Sequence, residues 1–180
     1  METNRLIIKP YESSDLFDLY EMISDIDLTY PAGFKPVPTL EVCRLSLQYR
    51  IASKQYMKIT TKKDELIGEI NFYKDESKRN PKAYEIGFIL KKEYQHQGLM
   101  QEALKAFIPW FNSVVDVDVL TTHLFTDNDK SENTLRALNF HFDGIVRHYK
   151  KMYDDTIHDC KEYSLTHDEI ERNIKLWQKF

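Results

Sequence analysis

Glycine is scarce in this chain, with only five among 180 residues. No GxGxxG turn and no GxxxxGK[S/T] loop is present, which argues against an ordinary dinucleotide or nucleoside-triphosphate site. Cysteine is scarcer still. Cys43 and Cys160 lie far apart and fit no metal spacing, so no metal is expected. With no signal-peptide pattern, the two thiols imply a reduced, cytoplasmic protein. No apolar run approaches the roughly 20 residues that span a bilayer. Basic runs are missing too. At a net charge of −4, no Lys or Arg cluster dominates a face, which argues against nucleic acid or an acidic membrane as partner. Repeats and low-complexity tracts are absent.

What is present is an ordinary globular composition, 42% hydrophobic and 30% charged, at a length that suits one domain over residues 1–180. "NRLIIKP" predicts a first strand closed by Pro10. After the capping oxygens of Ser13, Ser14 and Asp15, the spacing of Leu16, Leu19, Tyr20 and Ile23 predicts a helix. "DLTYPAGFKPVP" predicts an irregular loop, and Thr39 caps a second helix through about Ile51. "YMKITT", "ELIGEINFY" and "AYEIGFIL" predict an antiparallel meander, with Leu66, Gly68, Ile70 and Phe72 on one face of its middle strand.

Met100, Ala103, Leu104, Phe107, Ile108 and Phe111 then fall at helical spacing, with Pro109 expected to kink or end the helix. "DVLTTHLF" is a strand, "SENTLRALNF" a short helix ending at a left-handed Asn139, and "GIVRHYKKMY" with "IHDCKEYSL" a closing strand pair. A last helix opens on a Thr166–Glu169 capping box, with Lys175 and Lys179 towards its end. The fold class is therefore mixed α and β, and the central strand–helix–strand crossover joins parallel strands.

One of the few glycines, Gly98, stands where the strand "YEIGFIL" turns into a helix. Such a turn leaves backbone N–H groups pointing outward beside the helix dipole, which suits an anion. A glycine there lets a phosphate approach, or simply makes a tight turn. "QHQGLM" fits the pattern Gln/Arg-x-x-Gly-x-Gly/Ala apart from Met100. "NDKSENTLRALNF" carries Asn-x-x-Ser and then Leu-x-Phe in register at Asn128, Ser131, Leu138 and Phe140, with Asn139 in place of a glycine. With "TNRLIIKPYESSDLFDLYEMISD", "ELIGEINFY", "YEIGFIL" and "DCKEYSL", nearly the whole chain resembles the GNAT N-acetyltransferases, in particular the branch of ribosomal-protein N-terminal acetyltransferases.

The resemblance implies a GNAT fold whose central sheet splays into a V between the strand ending at Leu90 and "DVLTTHLF". Acetyl-CoA would enter there, its pantetheine pairing with the backbone around Ile89 and Leu90. Its pyrophosphate would rest on the amides of Gln95, His96, Gln97, Gly98, Leu99 and Met100, and Asn128 would hold the pantetheine. His96 and Met100 depart from the family's small residues. Leu90 N–H would stabilise the oxyanion, and the Ser131 hydroxyl would bond the departing sulfur or else cap its helix. Glu85 alternates with Gly87 and Ile89 onto one face and is the candidate base, or else a solvated strand residue.

Tyr30 and Phe34, in the loop from Asp27 to Pro38, would form one wall of the acceptor site. Tyr149 and Tyr153 either border it or pack. Lys91 and Lys92 either meet the phosphates or form a solvated strand end. Histidines 96, 123, 141 and 148 lack paired ligand spacing, and in "HDC", His158 to Cys160, adjacent strand residues point to opposite faces, which argues against a triad or metal site. The acceptor expected is a primary amine, a protein N-terminus or else a polyamine, antibiotic or amino acid. A non-catalytic acyl-CoA-binding module and a nucleotide-binding regulatory domain stand as other readings, and a homodimer is compatible with the family.

Overall fold

Seven strands occur among the described residues, and all of them join one sheet. The computed structural model describes residues 1–177; Lys179, placed by its spacing near the end of the last helix, lies outside them. The strands are β1 (Leu6–Pro10), β2 (Tyr56–Thr61), β3 (Leu66–Lys74), β4 (Ala83–Leu90), β5 (Val119–Phe125), β6 (His141–Lys151) and β7 (Ile157–Thr166). The helices are α1 (Leu16–Ile23), α2 (Ile26–Thr29), α3 (Leu40–Ser53), α4 (Leu99–Val114), α5 (Asp129–Ala137) and α6 (His167–Trp177). The sheet order is β1-β2-β3-β4-β5-β7-β6. Every neighbour is antiparallel except β4 and β5, which α4 joins as a crossover.

Among the described residues two large apolar clusters, with a smaller one of Phe125, Met152 and Cys160, hold the sheet. Residues of α4, α5 and α6 meet one side, with Phe107, Leu104, Leu135 and Leu138 all at 0% exposure. Residues of α1 and α3, including Leu19, Cys43 and Leu47, form the other cluster with Ile89 of β4. Full burial of such a side chain contributes about 1.5–3 kcal/mol each. α4 begins at the left-handed Gly98, and Thr39 Oγ1 caps α3 by accepting the Val42 N–H.

Three expectations are corrected. Asp25 accepts the Asp27 N–H at 2.8 Å and caps a short helix, α2, that runs into the stretch expected to be irregular. Pro109 lies inside α4 without ending it; the helix runs on to Val114, held by the packing of Phe107 and Phe111 in the core. Strict alternation in β3 fails at its start. A bulge opposite Ile59 and Thr60 turns Leu66 to the α1 and α3 cluster while Ile67 and Ile70 face the other. The closing Asn139 is left-handed as its position required, at φ 61°.

Candidate active site

β4 and β5 pair only at Ala83–Val119, Tyr84–Leu120 and Glu85–Thr121. Beyond Glu85 the strands part, and β5 continues paired to β7 alone. Peptide groups in an antiparallel strand face alternate sides. Lys91 N–H donates to Ile67 O at 2.8 Å, towards β3. The carbonyls of Tyr84 and Leu90 face the other way, accepting from Thr121 Oγ1 at 3.2 Å and Gln95 Nε2 at 2.8 Å. By this alternation Phe88 and Leu90 turn their peptide groups into the gap, and Ile89 turns its own to β3. Ile89 meets the gap by its side chain, not by the backbone pairing expected of it.

On one side of the gap lies a cavity of about 360 Å³. Gly98, at φ +71°, lines it, and a Cβ built there would meet nothing nearer than Arg5, at 3.9 Å. The first helical bond of α4 runs from Glu102 N–H to Gly98 O, so the N–H groups of Leu99, Met100 and Gln101 lack partners within the helix. His96, itself left-handed at φ 60°, lines the same cavity. Leu99 and Met100 line it while burying their side chains in the main core, at 6% and 7% exposure. A longer side chain at Met100 is therefore accommodated by the core.

The rest of this turn departs from expectation. The Gln95 N–H already donates to Lys92 O at 3.1 Å, and its side chain, which donates to Leu90 O, also accepts from Lys130 Nζ at 3.0 Å. Gln97 does not line the cavity; its carbonyl accepts from Arg5 and its amide donates to Glu93 O. Lys91 and Lys92 turn to Glu21, Asp25 and Asp27 rather than to the cavity. Among the described residues Lys130, on the first turn of α5, is the Lys or Arg that lines it.

On the other side lies a cavity of about 480 Å³, and the two share Phe88, Ile89, Asn128, Ser131, Pro31 and Ala32 as lining. Phe34 lines this second cavity, but Tyr30 does not. The Tyr30 hydroxyl lies 3.1 Å from both Thr156 Oγ1 and His158 Nε2, and its ring packs on Phe125 and Tyr153. Tyr30 thus anchors the loop to β7, and Tyr153 packs on it, whereas Tyr149 is a wall residue. His158 stacks on Phe125 with centroids 4.2 Å apart, and no group of three or more His, Cys, Asp or Glu with metal-holding geometry occurs among the described residues.

Glu85 enters this second cavity beside Tyr73, Tyr149 and His123. Burial, and after it the Glu85 carboxylate, pushes both phenols well above their ordinary range, so neither is a base at neutral pH. Burial likewise pushes the Cys160 thiol up to about 11, which leaves no thiolate nucleophile there. At the opposite end Arg50 holds Glu69, Nε to Oε2 at 2.7 Å, with both side chains under 9% exposed. Asn71 lies across Gly87 so closely that a Cβ on Gly87 would come within 2.5 Å of its Oδ1.

Asn128 and Ser131 stand where the cavities meet. Asn128, not Ser131, caps α5: its Oδ1 accepts the Ser131 N–H at 3.2 Å and its Nδ2 donates to Pro31 O at 3.3 Å. Ser131 sits within the first turn, and its hydroxyl is not used for capping. His123, read as a surface or core histidine, is buried against Glu85. It lies two residues beyond Thr121 on β5, so only the β4–β5 register reveals the neighbour.

A family model for an acetyltransferase (GNAT) domain matches residues 5–141. An uncharacterised N-acetyltransferase of Bacillus subtilis (strain 168), YoaA, is 26% identical over 172 residues, 92% of this chain and 95% of its own length. The ribosomal-protein-S5-alanine acetyltransferase from Vibrio fischeri shares the fold with a TM-score of 0.78 at 20% identity, over 94% of this chain and 97% of its own. Spermidine N-acetyltransferase from Vibrio cholerae, solved with CoA and spermine, does so with a TM-score of 0.79 at 14% identity, over 94% and 99%.

Proposed function

This chain belongs to the GNAT acetyltransferase family and is an N-acetyltransferase, and from that premise we propose that it moves an acetyl group from acetyl-CoA to the α-amine of a protein N-terminus. The observation that carries the reading is the parting of β4 and β5 beyond Glu85, with a cavity on each side and a shared wall at Phe88, Ile89, Asn128 and Ser131. A donor on one side and an amine on the other would meet at that wall without a covalent enzyme intermediate.

The residues of the smaller cavity suit coenzyme A. The unpartnered N–H groups at the start of α4, the open space over Gly98 and the Lys130 ammonium suit a diphosphate. The inward peptide groups of Phe88 and Leu90 suit an amide-rich arm, which would add to β4 as a strand adds to a sheet edge. Bound acetyl-CoA supplies an activated acetyl thioester. Glu85 takes a proton from the incoming ammonium, leaving the neutral amine that can attack. Leu90 N–H donates to the carbonyl oxygen as negative charge develops on it. The Ser131 hydroxyl donates to the sulfur as it leaves.

A peptide amine suits the larger cavity better than a polyamine does. Among the described residues only two carboxylates line it, and Glu69 is neutralised by Arg50. A second ammonium would find no free carboxylate, whereas Lys35, Lys150 and Asn71 offer donors to peptide carbonyls or an acidic side chain. The test is thiol release from acetyl-CoA over a panel of free-amine peptides, N-blocked peptides, spermidine and an aminoglycoside. Turnover with free-amine peptides alone is expected. Turnover confined to spermidine would overturn the acceptor assignment, and CoA binding with no release on any amine would mark a non-catalytic module.

A further inference from the structure

The first side-chain link across the gap lies where main-chain pairing ends. His123 Nδ1 of β5 is 3.1 Å from Glu85 Oε1 of β4, with the two side chains 4% and 14% exposed. A carboxylate only accepts, so this bond requires the proton on Nδ1. The imidazole has little freedom to turn away. Tyr149 stacks on it with centroids 4.2 Å apart and planes 15° apart. The Tyr149 hydroxyl, also 3.1 Å from Nδ1, therefore approaches over the ring face, leaving the ring plane to Glu85. On the far edge Nε2 faces Glu162 Oε2 at 3.9 Å, and Glu162 is paired to Lys78.

A glutamate at the root of a cleft has three side-chain torsions to settle. Nothing on β4 itself fixes them, because Gly87 is the next residue on that face. We propose that His123 is the positioning residue for the reaction: its Nδ1–H pins Oε1 of Glu85 and leaves Oε2 to receive the proton of the acceptor amine. Tyr149, stacked on the ring face, holds the ring in that orientation. Because base and positioning residue come from opposite arms of the splay, the bond also fixes the width of the cleft at its root. This assignment rests on Glu85 as the base.

Two measurements on the whole protein test it. In a ¹⁵N-histidine correlation spectrum, His123 should appear as the Nδ1–H tautomer in the wild type and lose that signature in Glu85→Ala. An Nε2–H tautomer in the wild type would overturn the proposal whatever the acceptor is. In kinetics with the accepted amine, His123→Leu should lower kcat by between about 10- and 100-fold with the KM for acetyl-CoA unchanged. His123→Asn, whose amide can donate the same bond, should recover most of that loss. Wild-type turnover in His123→Leu, with Glu85→Gln slow, would sink the positioning role alone. Wild-type turnover in Glu85→Gln would sink the base assignment, and the spectrum would still report whether the pair exists.

Discussion

Asn128 Oδ1 accepts the backbone N–H of Ser131, and this bond separates the cap of α5 from the hydroxyl that faces the junction of the two cavities. With capping assigned to Asn128, Ser131 can be removed without opening the helix. Ser131→Ala should lower turnover at least tenfold while the thermal midpoint and CoA affinity stay near wild type. Titration calorimetry and steady-state kinetics on one preparation check this, and unchanged turnover would end its role at the sulfur. Asn128→Ala, by contrast, should cost stability, about 1 kcal/mol for a lost cap.

Gly98 holds φ at +71°, where a β-branched residue is strained by about 1–3 kcal/mol. The protein itself leaves room, since only Arg5 approaches an added Cβ. Gly98→Val should remain folded by circular dichroism yet lose CoA binding, because its side chain would stand over the N–H groups of Leu99 and Met100. Retained affinity in calorimetry would show that the phosphates lie elsewhere.

Gly87 and Asn71 form a cross-strand pair in which the amide occupies the space of the missing side chain. A methyl group 2.5 Å from Asn71 Oδ1 must displace it. Gly87→Ala is therefore expected to raise the KM for the acceptor severalfold, with the KM for acetyl-CoA unaffected. Equal changes in both would place Asn71 outside acceptor binding.

Glu132, beside Ser131 in sequence, ties α5 to β7 through Lys161 and Tyr163 Oη at 2.6 Å, and pairs with Arg136 one turn on along α5 at 2.6 Å. Lys161 first, then Tyr163 and Arg136, hold its carboxyl down at about 2, against an ordinary 4.5. A depressed carboxyl stabilises the fold above its unfolded value, and the contribution is lost as pH falls from about 4.5 towards 2. Urea midpoints should fall over that window in the wild type. Glu132→Gln should be less stable at neutral pH and show a flatter dependence. Parallel curves for the two proteins would refute the linkage.

Much of this architecture was legible because it rests on local chemistry. Periodic apolar residues marked α1, α3 and α4, alternation marked β4 and β5, and Asn139 and Gly98 marked two left-handed positions. Pro109 did not end α4, one of the two outcomes expected of it, because core packing of Phe107 and Phe111 outweighs one missing helical hydrogen bond. Leu66 misled because a bulge is set by the partner strand, not by the strand's own pattern.

By itself the order of residues determined the elements, the parallel crossover and the glycine turn, since each depends on neighbours along the chain, while the candidates Asn128 and Ser131 came from the family resemblance. Tertiary structure alone decided which of them work together. The register that ends at Glu85–Thr121 brought His123 to Glu85, pairing with β3 turned Ile89's peptide group away, and the fold carried Arg50 and Lys130 to the two cavities. A contact such as Glu85–His123, 38 positions apart, depends on strand register and splay, and no local pattern of side chains encodes those.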